Sequence, residues 1–156
     1  MKVEAYAFQV SALSFHPSAL NERSETVVMT NEYERMKAEF RQRTKAFASA
    51  TIRFYCTLPK SRTEVQVLGK QLLRSGTSVA ANYREASRAR SDSEFVSKID
   101  QCTQEADESM LWLELLRDDC GIRSDRLTWL LKESDELIAI LVTMSKKVKA
   151  RIKDKS

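Results

Sequence analysis

The fold is decided by residues 61–89, which read SRTEVQVLGKQLLRSGTSVAANYREASRA. Apolar side chains recur along this stretch at steps of three, four or seven residues, which place them on one face of an α-helix. They are Val65, Leu68, Leu72, Val79, Tyr83 and Ala86. The stretch therefore predicts one long amphipathic helix with a single buried stripe.

Three further segments share this period, and we predict helices at about residues 31–58, 61–89, 91–119 and 124–152. Their expected ends are marked by Pro59, the capping boxes Ser61–Glu64 and Ser91–Glu94, Gly121 and the N-cap Ser124. Short connections make sequential helices antiparallel. We therefore predict an all-α protein, an antiparallel up-down-up-down four-helix bundle over residues 31–156.

Residues 1–30 show no sustained apolar period and contain His16-Pro17. We interpret them as a mobile N-terminal extension. Met29 lies just before the first periodic segment, and whether the chain starts at Met1 or at Met29 is left open.

Composition argues against several classes of enzyme. The 156 residues include 3 Gly and 1 His, which leave no glycine-rich phosphate loop, histidine triad or histidine zinc site. The 3 Cys form no Cys-x-x-Cys pair, as is common in a reducing cytosol. No apolar run approaches the ~20 residues that span a bilayer. We expect a cytoplasmic protein without catalytic residues, metal or cofactor. A metal site built from carboxylates alone is left open.

The run Ser75-Gly76-Thr77-Ser78 is unusual inside a helix, where Gly and Thr cost up to about 1 kcal/mol each. It indicates either the close approach of a neighbouring backbone or a ligand groove. A polar stripe runs beside it, and the third helix offers a matching one. The stripes consist of Gln71, Arg74, Ser78, Asn82 and Glu85, and of Glu105, Glu108, Ser109 and Trp112. They favour a solvated face, an interhelical hydrogen-bond network, or a subunit interface that buries Trp112 and Trp129.

The charge is concentrated at one end of the predicted bundle. Residues 34–48, 76–104 and 139–156 hold 15 basic and 7 acidic side chains, a net charge of +8, within a chain of net charge +4. This pattern is typical of a phosphate-binding surface. Basic residues also favour helix C-termini and solvated tails, and contact with an acidic protein or a membrane surface is left open.

The basic residues that we select for nucleic-acid contact are Arg41, Arg43, Arg84, Arg88, Lys146, Lys147, Lys149 and Arg151. No interleaved aromatic residues suggest base stacking, so we expect contact with the backbone or shape of a nucleic acid rather than with its bases.

Four stretches carry a family resemblance: LPKS at 58–61, QLLRSGTSVAANYREA at 71–86, SEF at 93–95 and WLELL at 112–116. Over roughly residues 38–150 the chain resembles the four-helix-bundle proteins named after 23S rRNA intervening sequences. That family is similar in fold to the accessory variability determinants of diversity-generating retroelements, which are basic pentamers that bind nucleic acid and a reverse transcriptase. The resemblance implies a homo-pentamer.

Two functions follow from these observations. The leading one is a non-enzymatic homo-oligomeric bundle that contacts RNA or DNA phosphates through its basic end. The alternative is a protein-interaction adaptor or accessory subunit, for example of a reverse transcriptase, that docks through the second and third helices. The residues expected to mediate such docking are Gln71, Arg74, Asn82, Glu85, Glu108 and Trp112.

Overall fold

The structure, a computed structural model, describes the backbone of residues 22–154 and the side chains of residues 31–154. Its helices are α1 (Glu22–Thr57), α2 (Thr63–Ala86), α3 (Asp92–Asp118) and α4 (Asp125–Asp154). The described residues contain no strand, and the predicted all-α, four-helix architecture is confirmed. Most of the predicted N-terminal extension, residues 1–21, lies outside the described residues.

Contacts between neighbouring helices show that sequential helices run in opposite directions. Gly69, early in α2, lies against Leu58 at the end of α1, whereas Gly76 lies against Thr51 further back in α1. The corresponding pairs are Ser75–Ser109, Val79–Cys102 and Glu85–Lys98 between α2 and α3, and Asp100–Ser145 and Asp92–Arg151 between α3 and α4. The four helices therefore alternate in direction along the chain.

The core is built from one stripe of each helix. The largest fully buried side chains include Phe40, Phe47, Phe54, Leu72, Ile99, Leu113, Leu127 and Leu137. Each buried side chain of this size contributes about 1.5–3 kcal/mol relative to an exposed one. The predicted stripes are thus the surfaces that hold the bundle together.

The small-residue run of α2 marks a close approach between α1 and α2. A Cβ atom at Gly76 would lie 2.8 Å from both Cγ2 and Oγ1 of Thr51. Thr51 is itself fully buried, and its Oγ1 donates a 3.0 Å hydrogen bond to the carbonyl oxygen of Phe47. The helices approach closely, as the first interpretation of the run expects, but the neighbour is the side chain of Thr51 rather than a backbone. This contact explains why a glycine occupies a helix interior.

Two of the predicted N-caps are confirmed. The Ser91 hydroxyl accepts a 3.1 Å hydrogen bond from the backbone N–H of Glu94, and Ser124 accepts one of 3.1 Å from Leu127. Gly121 follows α3 with φ of +68°, a conformation that costs a side-chain-bearing residue more than glycine.

The predicted Ser61–Glu64 capping box is wrong. Arg62 is the N-cap of α2, and no side chain caps that helix. The Glu64 carboxylate instead accepts a 2.8 Å hydrogen bond from Nε of Arg62, whose guanidinium also donates to the carbonyl oxygen of Cys120. Arg62 thus binds the Glu64 carboxylate, which in a capping box would accept a hydrogen bond from the backbone N–H of the N-cap residue.

Two helix ends differ from the prediction as well. α1 begins at Glu22 rather than near residue 31, and α2 ends at Ala86 rather than near residue 89. An established helix gains one hydrogen bond for each added residue, so it continues through polar sequence without needing an apolar period. This explains why α1 begins earlier than predicted, since its apolar period starts only near residue 31.

Candidate nucleic-acid interface

The basic end of the bundle comprises the start of α1, the end of α2, the start of α3 and the end of α4. There the rings of Phe40 and Tyr83 meet edge to face with centroids 4.6 Å apart. Arg41 and Arg84 directly follow these rings in α1 and α2, and Arg88 lies one helical turn beyond Arg84. Arg41 and Arg84 therefore lie at the same level of the α1–α2 seam, and Arg88 lies further along the chain, just after α2 ends at Ala86.

These arginines keep their charge available to a ligand. Among the residues whose side chains the structure describes, Arg41, Arg84, Arg88 and Lys146 have no ion-pair partner within 4.0 Å. Arg84, Arg88 and Lys146 are exposed, and Arg41 is partly exposed. Lys45, one turn from Arg41, is also exposed and unpaired within the same range, and it extends the cluster.

Arg43 has a different role from the one predicted. Its Nε lies 2.6 Å from Oε1 of Glu133, and a terminal nitrogen lies 2.5 Å from Oε2 of Glu136. The hydrogen bonds to Glu133 raise the pKa of Arg43 above its ordinary value, although burial opposes them. Arg43 thus ties α1 to α4 through charge-assisted bonds, and we leave it out of the proposed surface.

Lys149 and Arg151 join α4 to α3. Lys149 lies 2.8 Å from Asp100, and Arg151 lies 2.6 Å from Asp92. Burial raises the pKa of Asp100, but hydrogen bonds from Lys149 and Ser145 outweigh it and lower that pKa overall. Exposed ion pairs of this kind contribute only about 0–1 kcal/mol, so a phosphate can compete for the two cations.

One residue of each predicted polar stripe makes a contact between α2 and α3, in each case with a partner outside the other stripe. The Ser109 hydroxyl donates a 2.9 Å hydrogen bond to that of Ser75, and both side chains are buried. Glu85 lies 2.6 Å from Lys98 in an ion pair at the basic end. The interhelical network that the sequence suggested is therefore present in part. Of the other selected residues, Gln71, Arg74 and Glu108 are exposed, whereas Asn82 and Trp112 are partly buried.

Two polar atoms of this α2–α3 face are buried without a hydrogen-bond partner among the described residues: Oε2 of Glu105 and Nε1 of Trp112. Burial, together with the charge of Glu108, raises the pKa of Glu105, and the charge of Arg74 opposes the rise. A buried polar atom without a partner costs about 1–3 kcal/mol. The α2–α3 face therefore has hydrogen-bonding capacity that a single chain leaves unused.

Sequence reasoning missed a cavity at the basic end. It has a volume of about 640 Å³ and is lined by residues from all four helices, including the rings of Tyr33, Tyr83 and Phe95 and the cations Lys37, Arg90 and Lys147. The cavity thus brings aromatic rings to the basic end, which the sequence pattern did not indicate. These rings come from three different helices, so no local pattern in the sequence reveals that they share a site.

The described residues show neither a metal site nor a membrane span. Within them, no three His, Cys, Asp or Glu side chains are grouped so as to hold a metal ion. No helix in the described range is both long enough and apolar enough to cross a bilayer. The expectations of no cofactor, no catalytic activity and a cytoplasmic location stay predictions.

Comparison with known proteins places the chain in a family. The family model described as 23S rRNA-intervening sequence protein matches residues 36–143. The chain is similar to a solved structure, a protein of unknown function from the S23 ribosomal protein family of Bacteroides thetaiotaomicron VPI-5482. The two share 32% sequence identity and a TM-score of 0.64, and the match covers 70% of this chain and 97% of that chain. No curated protein matches. The chain belongs to the 23S rRNA-intervening sequence protein family.

Proposed function

We propose that this protein binds RNA or DNA through the phosphate backbone, at its basic end, and that it is not an enzyme. The observation that supports the proposal most is the cluster of Arg41, Arg84 and Arg88 at the basic end, with no carboxylate within ion-pair distance among the described residues. Cations grouped without acidic partners gain free energy from phosphates by releasing the counterions of the nucleic acid.

The position of this interface is tested by reversing two of its charges. Arg84→Glu with Arg88→Glu is expected to lower the affinity for duplex DNA and for a structured RNA by at least about ten-fold, since two phosphate contacts are lost and repulsion is added. Both side chains are exposed, so the core stays intact. Fluorescence anisotropy at low salt measures the change.

The matched control is Arg53→Glu with Arg126→Glu. These exposed arginines lie towards the opposite end of the bundle, and the control alters net charge by the same amount. We expect it to change affinity by less than about three-fold, since charges beyond a Debye length are largely screened. Equal losses in the two double variants would place the interface elsewhere.

We also propose that two or more copies of the chain associate through the α2–α3 face. Val67 lies on the same stripe as Gln71 and Arg74 and is 53% exposed. Arg74 and the carboxylates of Glu105 and Glu108 give this face both signs of charge. Two copies can therefore present complementary charges to each other around an apolar centre.

Self-association is tested by Val67→Asp, which places a charge in the proposed contact without touching the core. Light scattering is expected to give the wild type a mass that is a multiple of 17.9 kDa and the variant the mass of one chain. The control Ile52→Asp, at a residue of α1 that is 46% exposed, should leave the multiple unchanged. A monomeric wild type would contradict the proposal and leave the α2–α3 face to a different protein.

A further inference from the structure

The cavity at the basic end has the size and lining of a ligand site. Its volume of about 640 Å³ lies within the ~300–1,000 Å³ that is usual for such sites. Its apolar wall includes Met36 of α1, Phe95 of α3, and Met144 and Val148 of α4. Phe95 and Met144 pack against the main core, so this wall is held in place by the bundle itself.

Tyr33 is the most exposed of the three aromatic rings at this site. It is 44% exposed, whereas Tyr83 is 3% exposed and its ring packs against Phe40. The ammonium of Lys37 lies 5.3 Å from the centroid of the Tyr33 ring. The ammonium covers one face of the ring and is paired with Glu34 at 3.0 Å, so the opposite face is the one on which a nucleobase can stack.

The charges around the cavity favour an anionic ligand. Lys37, Arg90, Lys147 and Arg151 line it, against Asp92 and Asp154, and Lys37 is paired with Glu34 at 3.0 Å. Asp92 is engaged by Arg151 at 2.6 Å, whereas the guanidinium of Arg90 has no carboxylate within 4.0 Å among the described residues. Arg84, near the end of α2, and Arg88, just after it, do not line the cavity, but they lie in the same segment of the chain as its lining residues Ser87 and Arg90.

We infer that the cavity takes an unpaired base of a single-stranded nucleic acid, stacked on Tyr33, while Arg84, Arg88 and Arg90 contact the adjoining phosphates. This inference rests on the proposed function and narrows it. A base inside a duplex is stacked and paired and cannot enter, so the protein prefers single strands and unpaired loops to duplex of the same sequence.

The test compares one short RNA strand, alone and annealed to its complement, with the wild type, Tyr33→Ala and Tyr33→Phe. Tyr33→Ala should lower single-strand affinity about ten-fold, because a base–aromatic stack is lost, and should leave duplex affinity unchanged. Tyr33→Phe retains the ring and should bind like the wild type. A 2-aminopurine base placed in the strand should be quenched by the wild type and by Tyr33→Phe but not by Tyr33→Ala.

Other outcomes separate this inference from the proposed function. Salt-sensitive duplex binding with no effect of Tyr33→Ala on the single strand would overturn the base site and leave phosphate contact standing. An equal loss on both forms would assign Tyr33 a structural role and would also overturn it. If the wild type binds neither form at low salt, the proposed function fails and the base site fails with it.

Discussion

At the scale of single residues, the contact between Gly76 and Thr51 shows how packing overrides helix propensity. Alanine would improve the intrinsic propensity of the helix by about 1 kcal/mol over glycine. Its Cβ, however, would meet two atoms of a fully buried threonine at 2.8 Å. Forcing an extra methyl group into a packed core costs about 1–3 kcal/mol, so the packing effect prevails.

We therefore expect Gly76→Ala to lower the free energy of unfolding by about 1 kcal/mol. In a Thr51→Ala background, where both atoms at 2.8 Å are removed, the same substitution should be neutral or stabilising. Urea unfolding of the four proteins at one protein concentration measures this cycle. An equal effect of Gly76→Ala in both backgrounds would contradict the proposed contact.

At the scale of helices, the sequence predicts existence and type better than ends. The apolar stripes of all four helices are buried as expected, because the 3.6-residue period reports directly on the face that leaves water. Ends depend on contacts between distant residues, which a local pattern does not contain. Ser61 and Ser91 head equally good capping motifs, yet only Ser91 caps, because Arg62 binds Glu64 and reaches across to Cys120.

This difference between the two serines gives a paired prediction. Ser91→Ala should cost about 1 kcal/mol of stability, since it removes the acceptor for the backbone N–H of Glu94. Ser61→Ala should cost less than about 0.5 kcal/mol, the usual range for an exposed side chain outside such features. Thermal or urea unfolding distinguishes the two variants. A larger loss of stability for Ser61→Ala than for Ser91→Ala would mean that Ser61 caps α2, against the structure.

At the scale of the whole molecule, the sequence predicts which end of the bundle carries the positive charge, but not which of its cations are without a carboxylate partner. Counting charges by end gives a net +8 for the basic end, which treats Arg43 and Arg84 alike. The tertiary structure separates them, because Arg43 meets Glu133 and Glu136 from a helix some 90 residues away in the chain. The aromatic cavity was unpredictable for the same reason, since its rings come from separate helices.

The central claim is that unpaired cations of the basic end contact nucleic-acid phosphates. Its most direct test is the affinity of the wild type for duplex DNA, measured by anisotropy between about 50 and 200 mM salt. Contacts by Arg41, Lys45, Arg84 and Arg88 predict a slope of about −3.6 in log affinity against log salt, which is a loss of roughly 100-fold over that range. A slope near zero, or no binding at the lowest salt, would contradict the account.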